Sequence, residues 1–307
     1  MKKYNHVIVV GIDGAGSFIK VADTPHFDRI FKNGAVTYRA LTSNPSASAE
    51  CWGSMLHGVG PEVHGLTNAI VTQQDFPSDS PFPSLFRRIR AAMPEAELGS
   101  FTEWDPITHG IVEREIGVFS NPEHLQDYDL TPAICDYIRA KKPTFLFVQL
   151  DSVDYRGHVH GYGSAQHLDY IHTQDAMIGD IYAAALDAGI LDDTLFMVIS
   201  DHGGTNPGNG AGGSHGGWTD PEKLTTFAAV GKGVKHGTIE EMNVRDLAAI
   251  VLYALGIDSP TFDEKGWTAQ IPADIFDDPE IPAYKDISHL TGAAPRISKA
   301  PHESEPV

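Results

Sequence analysis

The residues able to do chemistry fall in a few short stretches, most of them placed just after an apolar run. Asp13 follows HVIVVGI, within GIDGAG. Ser46 and Ser48 follow the run that ends at Leu41, ahead of a helix beginning near Ala49. Asp151, Asp154, His158 and His160 follow the run ending at Leu150, and Ser200-Asp201-His202-Gly203 closes the run ending at Ile199. His215 sits in a glycine-rich loop from Asn206 to Gly217. Carboxylates and imidazoles gathered on one rim read as two mixed oxygen and nitrogen metal sites, which suit zinc, with Mn²⁺ or Fe as substitutes. Each piece alone is ordinary. An Asp after a strand is commonly a turn former or helix cap, and Asp154 and His158, four apart in a Gly-bearing loop, fit a surface turn as well as a ligand pair. Their joint arrangement at successive strand ends is much harder to explain as turns.

The elements that must position these residues alternate along the chain. His6–Ile12, Val36–Leu41, Glu97–Phe101, Thr144–Leu150, Thr194–Ile199 and Thr225–Val230 read as strands, and the first has the β-branched run of a strand covered on both faces. Ser84–Ala92, Pro132–Lys141, Ala165–Ala188 and Val244–Leu255 read as helices, and Thr24-Pro25 reads as the N-cap and first turn of another. Asp175 interrupts the apolar stripe of the longest helix and is expected to be a satisfied polar group near the core. The pattern implies an α/β fold with a predominantly parallel central sheet and helices on both faces. Ligands in such a sheet bind beyond the carboxyl ends of the strands. We expect a catalytic domain over residues 1–262 and a peripheral wrap over 263–307, frayed at its end. GIDGAG is not GxGxxG, because Asp13 stands where a glycine would let the backbone approach a pyrophosphate, and no GxxxxGK[ST] occurs. A nicotinamide or ATP site is therefore a poor reading.

Composition bounds the partners. With 22 Lys+Arg against 41 Asp+Glu the net charge is −19, which excludes a basic face for nucleic acid or anionic membrane. No apolar run approaches the ~20 residues of a membrane helix. The N-terminal run is too short for a signal peptide, and Cys51 and Cys135 cannot form a disulfide framework. The expectation is a soluble, cytoplasmic protein acting on a small molecule.

VIVVGIDGAG, SASAECWGSMLHGVGPEVHG, DYRGH, SDHGG and SHGG, in that order, resemble the alkaline phosphatase superfamily, and within it the type I phosphodiesterase/nucleotide pyrophosphatase branch. The resemblance spans residues 8 to 217 and implies an alkaline-phosphatase-like three-layer sandwich. It implies Ser48 as nucleophile, with Ser46 and Ser54 as bystanders. It implies Asp13, Asp201 and His202 as ligands of one metal, which also holds Ser48, and Asp154, His158 and His215 as ligands of a second. His64 is then a shaper of the GPEVHG turn and His160 a decoy beside His158. Glu50 stands where the family often has Pro. Cys51 stands where vertebrate relatives place an Asn that helps hold a phosphate oxygen, and is read here as a small, half-buried filler. Neither serine nor cysteine is followed by the x-Pro-x-Arg that a sulfatase would need.

The implied chemistry is hydrolysis of a phosphate ester, with two divalent cations about 4 Å apart clamping the attacking and leaving oxygens and a phosphoseryl intermediate forming on Ser48. Ser48 at a helix N-terminus adds backbone N–H groups for phosphoryl oxygens. The absence of Lys and Arg between Asn44 and Thr67 favours a diester over a phosphomonoester or phosphonate. A non-catalytic metal-binding protein would be expected to have lost a ligand, and none is missing. Net charge does not oppose an anionic substrate, because two divalent cations outweigh Asp13, Asp154 and Asp201 locally. Trp104, in FTEWDPITH after a strand, is a candidate stacking platform for the leaving group, with a hydrophobic anchor as the favoured alternative.

Overall fold

The computed structural model describes residues 3–122, 125–208 and 212–287; the far end of the tail, expected to fray, lies outside them. The strands are β1 (His6–Ile12), β2 (Ala35–Leu41), β3 (Leu98–Thr102), β4 (Phe119–Ser120), β5 (Phe145–Leu150), β6 (Thr194–Ser200), β7 (Leu224–Val230) and β8 (Gly237–Thr238). They form one sheet in the order β4-β3-β5-β1-β6-β7-β2-β8. Only β7 runs against the others, pairing antiparallel with β6 and β2. β1 lies between two parallel neighbours, with Val10 opposite both Val148 and Val198. A strand so placed has no solvent face, which accounts for its unbroken apolar run.

Alternate residues of β1 feed the two halves of the core. Val7 and Val9 pack on one face with α2 (Ser48–His57), α5 (Leu85–Ala92) and α10 (Asp246–Leu255). Ile8, Val10 and Ile12 pack on the other with α1 (Pro25–Phe31), α6 (Asp127–Lys141) and α8 (Ala165–Asp187). Shorter helices are α3 (Pro61–His64), α4 (Asn68–Val71), α7 (Ser152–His160) and α9 (Asp220–Lys223). The six strands expected from sequence appear within one residue at each end. The two-residue strands β4 and β8 carry no periodic signal and were not expected.

Three local readings are corrected. The loop expected to hold Asp154 and His158 is the helix α7, which sets the two residues one turn apart on a single face. Helix α6 begins at Asp127, upstream of Pro132, because Tyr170 and Gln174 of α8 hold the Asp127 carboxylate at 3.0 and 2.8 Å. The Thr24 side chain makes no cap bond to α1. Asp175 caps it instead, accepting from the N–H groups of His26 at 2.8 Å and Phe27 at 2.7 Å. Asp175 is thus the satisfied polar group its place in the stripe suggested.

Trp267, Ile275 and Phe276 from the C-terminal segment join the core beside α10. Asp246 pins that segment by accepting from Gln270 N–H at 2.8 Å and the Tyr284 hydroxyl at 2.6 Å. Burial pushes the Asp246 carboxyl up to about 7. A carboxyl raised on folding contributes stability that is complete below its unfolded value of 3.8 and is lost as pH rises through about 7. The shift corresponds to about 4 kcal/mol over that range. Asp246→Asn should therefore gain stability relative to the native chain between about pH 5 and pH 8. Denaturant midpoints at the two pH values check this, and a constant difference between the proteins would contradict it.

Candidate active site

Three adjacent parallel strands deliver the acidic groups. Asp13 follows β1, Asp201 follows β6, and β5 leads into α7, which carries Asp154 and His158. All three aspartates are buried. One oxygen of Asp13, Oδ2, accepts from Trp52 Nε1 at 2.8 Å and Gln149 Nε2 at 3.1 Å. One oxygen of Asp201, Oδ1, accepts from His202 N–H at 2.7 Å and Gly14 N–H at 3.1 Å. The second oxygens, Asp13 Oδ1 and Asp201 Oδ2, are buried with no hydrogen-bond partner. They lie 3.4 and 3.3 Å from His202 Nε2. Burial, reinforced by neighbouring carboxylates, holds both acids well above the usual range. Asp154 runs the other way: burial would raise it, but the positive charge that His215, and then His158 and His202, carry when protonated pulls it below the usual range.

The three histidines share one arrangement. Nδ1 of His158, His202 and His215 lies 3.1, 2.9 and 2.8 Å from the carbonyl oxygens of Gly213, Gly203 and Ser46. A carbonyl only accepts, so each Nδ1 carries a proton and each ring presents Nε2 to the carboxylates. This is how a second layer of contacts fixes the tautomer of a metal-binding imidazole. Burial and then His215 push His202 down to about 3. Its Nε2 therefore offers a lone pair 3.3 Å from Ser48 Oγ.

Ser48 is the first residue of α2, a helix buried along its whole length. Ser46 is engaged elsewhere: its hydroxyl donates to Gly217 O at 2.9 Å and accepts from Gly216 N–H at 3.0 Å, so it fastens the loop of His215. Ser54 donates to Glu50 O at 2.7 Å, inside the helix. His64 accepts from Leu66 N–H at 3.0 Å on Nδ1, which leaves Nε2–H to donate to Ser54 Oγ at 3.2 Å. It shapes the turn. His160 is exposed at the end of α7.

Two groups of donor atoms, each within 4.8 Å of one another, have cation geometry: Asp13, Asp154 and His202, and Asp154, His158 and His215. The resemblance put Asp201, not Asp154, with Asp13 and His202. Here Asp154 reaches both groups, while Asp201 Oδ2 joins the first through its contact with His202. The orphaned buried oxygens and mixed oxygen–nitrogen donors fit divalent cations.

Several contributors escaped the sequence reading. Asn68, at the start of α4, accepts from Ala49 N–H at 2.9 Å and so stands beside Ser48. Trp52 and Gln149 aim Asp13, and Gln149 is itself held by Trp104 N–H at 2.9 Å. The Trp104 ring packs on the core as an anchor. Cys51 is fully rather than half buried, 3.0 Å from Thr42 Oγ1 and beneath the site.

Fold and site define a hydrolase of phosphoric ester bonds with the alkaline-phosphatase-like architecture. The family model for type I phosphodiesterase/nucleotide pyrophosphatase matches residues 7–85 and 79–209, and the chain belongs to that family. Murine ectonucleotide pyrophosphatase/phosphodiesterase 5 superposes with a TM-score of 0.69 at 17% identity, covering 84% of this chain and 97% of that one. The human counterpart gives 0.70 at 16% identity, covering 84% and 96%. A lipoteichoic acid synthase from Listeria monocytogenes gives 0.59 at 14%, covering 84% and 73%. At these identities the likeness is one of fold. No curated protein matches by sequence, and no helix among the described residues is long and apolar enough to cross a membrane.

If cations hold these acids, the cation-free site carries unrelieved repulsion. Asp13→Asn should raise the melting temperature of chelator-treated protein and shrink the further rise on adding Zn²⁺ to the part that Asp154, His158 and His215 supply. Thermal scans with and without metal check this. A lowered melting temperature without metal would contradict it.

Proposed function

We propose that the chain is a phosphodiesterase in which Ser48 is the nucleophile and two divalent cations, zinc by preference, occupy the rim. The observation that carries this reading is the convergence of Asp13 Oδ1, Asp201 Oδ2 and His202 Nε2 beside Ser48 Oγ, with three lone-pair nitrogens and one shared carboxylate. Asp13, Asp201, His202 and Ser48 would hold one cation; Asp154, His158 and His215 would hold the other. Bound there, such ions supply a lowered Ser48 pKa and positive charge for the phosphoryl group.

The remaining work falls to the chain. Ser48 Oγ forms the new bond to phosphorus as the leaving alkoxide departs in line, giving a phosphoseryl enzyme that water then hydrolyses. The N-terminus of α2 turns its positive dipole end toward the phosphoryl oxygens. Asn68, fixed through Ala49 N–H, sets a side-chain amide at the same place. The donor groups around Ser48 include no Lys or Arg, which favours a substrate whose second non-bridging position carries a substituent.

Turnover of bis-aryl and mono-aryl phosphates, nucleotides and phosphonate esters with defined metals tests this reading; the murine neighbour has been solved in complex with AMP, which makes nucleotides a necessary arm. Diesters should be preferred. Ser48→Ala should lose turnover by at least about 10³-fold while retaining its metal. Retained activity in that variant, or preference for monoesters, would overturn the corresponding part of the proposal.

A further inference from the structure

Tyr162 lies outside every motif, yet its hydroxyl touches a carboxylate of the site. It is 3% exposed. Its hydroxyl donates to Asp154 Oδ1 at 2.5 Å. The other oxygen, Oδ2, lies 3.0 Å from His158 Nε2 and 3.8 Å from His215 Nε2. A hydroxyl has one proton to give, so this contact divides the carboxylate: Oδ1 is occupied by the tyrosine and Oδ2 faces the two histidines.

The surrounding backbone is built for that ring. A Cβ on Gly157, Gly204 or Gly213 would meet Tyr162 ring carbons at 2.5, 2.3 and 2.3 Å. These three glycines come from three separate segments: α7, the turn after β6 and the loop before His215. Any side chain there would displace the ring and with it the hydroxyl. Asn206 clamps the backbone on both sides, accepting from Tyr162 N–H and donating to Tyr162 O, each at 2.9 Å. The ring stands edge-on between His158 and His167, with centroids 5.9 and 5.3 Å away. A phenylalanine would fill the same slot, so the hydroxyl is what the slot delivers beyond packing.

Asp154 is also the residue that both donor groups reach. A carboxylate free to turn about its own axis could chelate one cation with both oxygens or lean toward Asp13 and His202. We propose that Tyr162 is a positioning residue that fixes Asp154, so that it serves the cation position of His158 and His215 through Oδ2 alone. This inference rests on the two-cation reading above.

The test is Zn²⁺ titration of the chelator-stripped full chain against a competing chromophoric chelator. The native protein should show two binding events, one of which His215→Ala removes. In Tyr162→Phe that same event should weaken by about 10- to 100-fold, while the other stays within about threefold. Asn206→Ala, which frees the tyrosine backbone but keeps the hydroxyl, should weaken the same event to a smaller degree. It keeps the test open should Tyr162→Phe fail to fold. A merely structural tyrosine would lower the melting temperature without this selectivity. Unchanged affinities in either folded variant, or equal loss at both positions, would overturn the inference while leaving two cations in place. A native chain that binds fewer than two ions would instead overturn the reading beneath it.

Discussion

Burying several carboxylates at one end of a sheet is the constraint on which this molecule turns. Asp13, Asp154 and Asp201 are drawn out of water at the ends of strands that are neighbours in the sheet. An ionised carboxylate without compensation is too costly to bury on such a scale. The fold answers by halves. One oxygen of each acid is tied down by neutral donors, namely Trp52 and Gln149, the N–H groups of Gly14 and His202, and the Tyr162 hydroxyl. The other oxygen is turned inward toward imidazole Nε2 atoms whose protons sit on the far side of the ring. The remaining deficit of positive charge has the shape and donor chemistry of divalent cations.

The architecture follows from where those acids must stand. Parallel pairing of β5, β1 and β6 brings three strand ends to one edge, which an antiparallel arrangement would have sent alternately to opposite edges. The β2 strand runs in the same direction, so the segment after it can bring α2 and Ser48 over that edge. Ser46 then couples the two halves of the rim, since its carbonyl orients His215 while its hydroxyl grips the following residues. Ser48 is thereby held at the start of a buried helix, with His215 fastened against the segment that precedes it.

Sequence legibility tracks local signal. β1 and β6 were readable from their apolar runs, and the acidic or imidazole residues after them followed at once. Helix α7 reads as a loop in the sequence because it carries little apolar periodicity and contains Gly157, so Asp154 and His158 look like part of a turn. Asn68, Gln149, Trp52 and Tyr162 left no trace, because each acts through a partner distant in the chain and none has a spacing that implies a hydrogen bond. Asp175 was legible as a satisfied group, but its partners on α1 required the tertiary packing of α8. The full burial of Cys51 escapes the sequence because its place three residues after Ser48 does not reveal which face of the helix it presents. The segment after residue 263 carries no periodic signal, yet Trp267, Ile275 and Phe276 anchor it in the core beside α10.

Anomalous diffraction at the zinc edge, from crystals of the metal-loaded chain, tests the central claim most directly. Two peaks are predicted, one among Asp13, Asp201, His202 and Ser48 and the other among Asp154, His158 and His215. A single peak shared by all of them, or no peak at these carboxylates, would contradict the account.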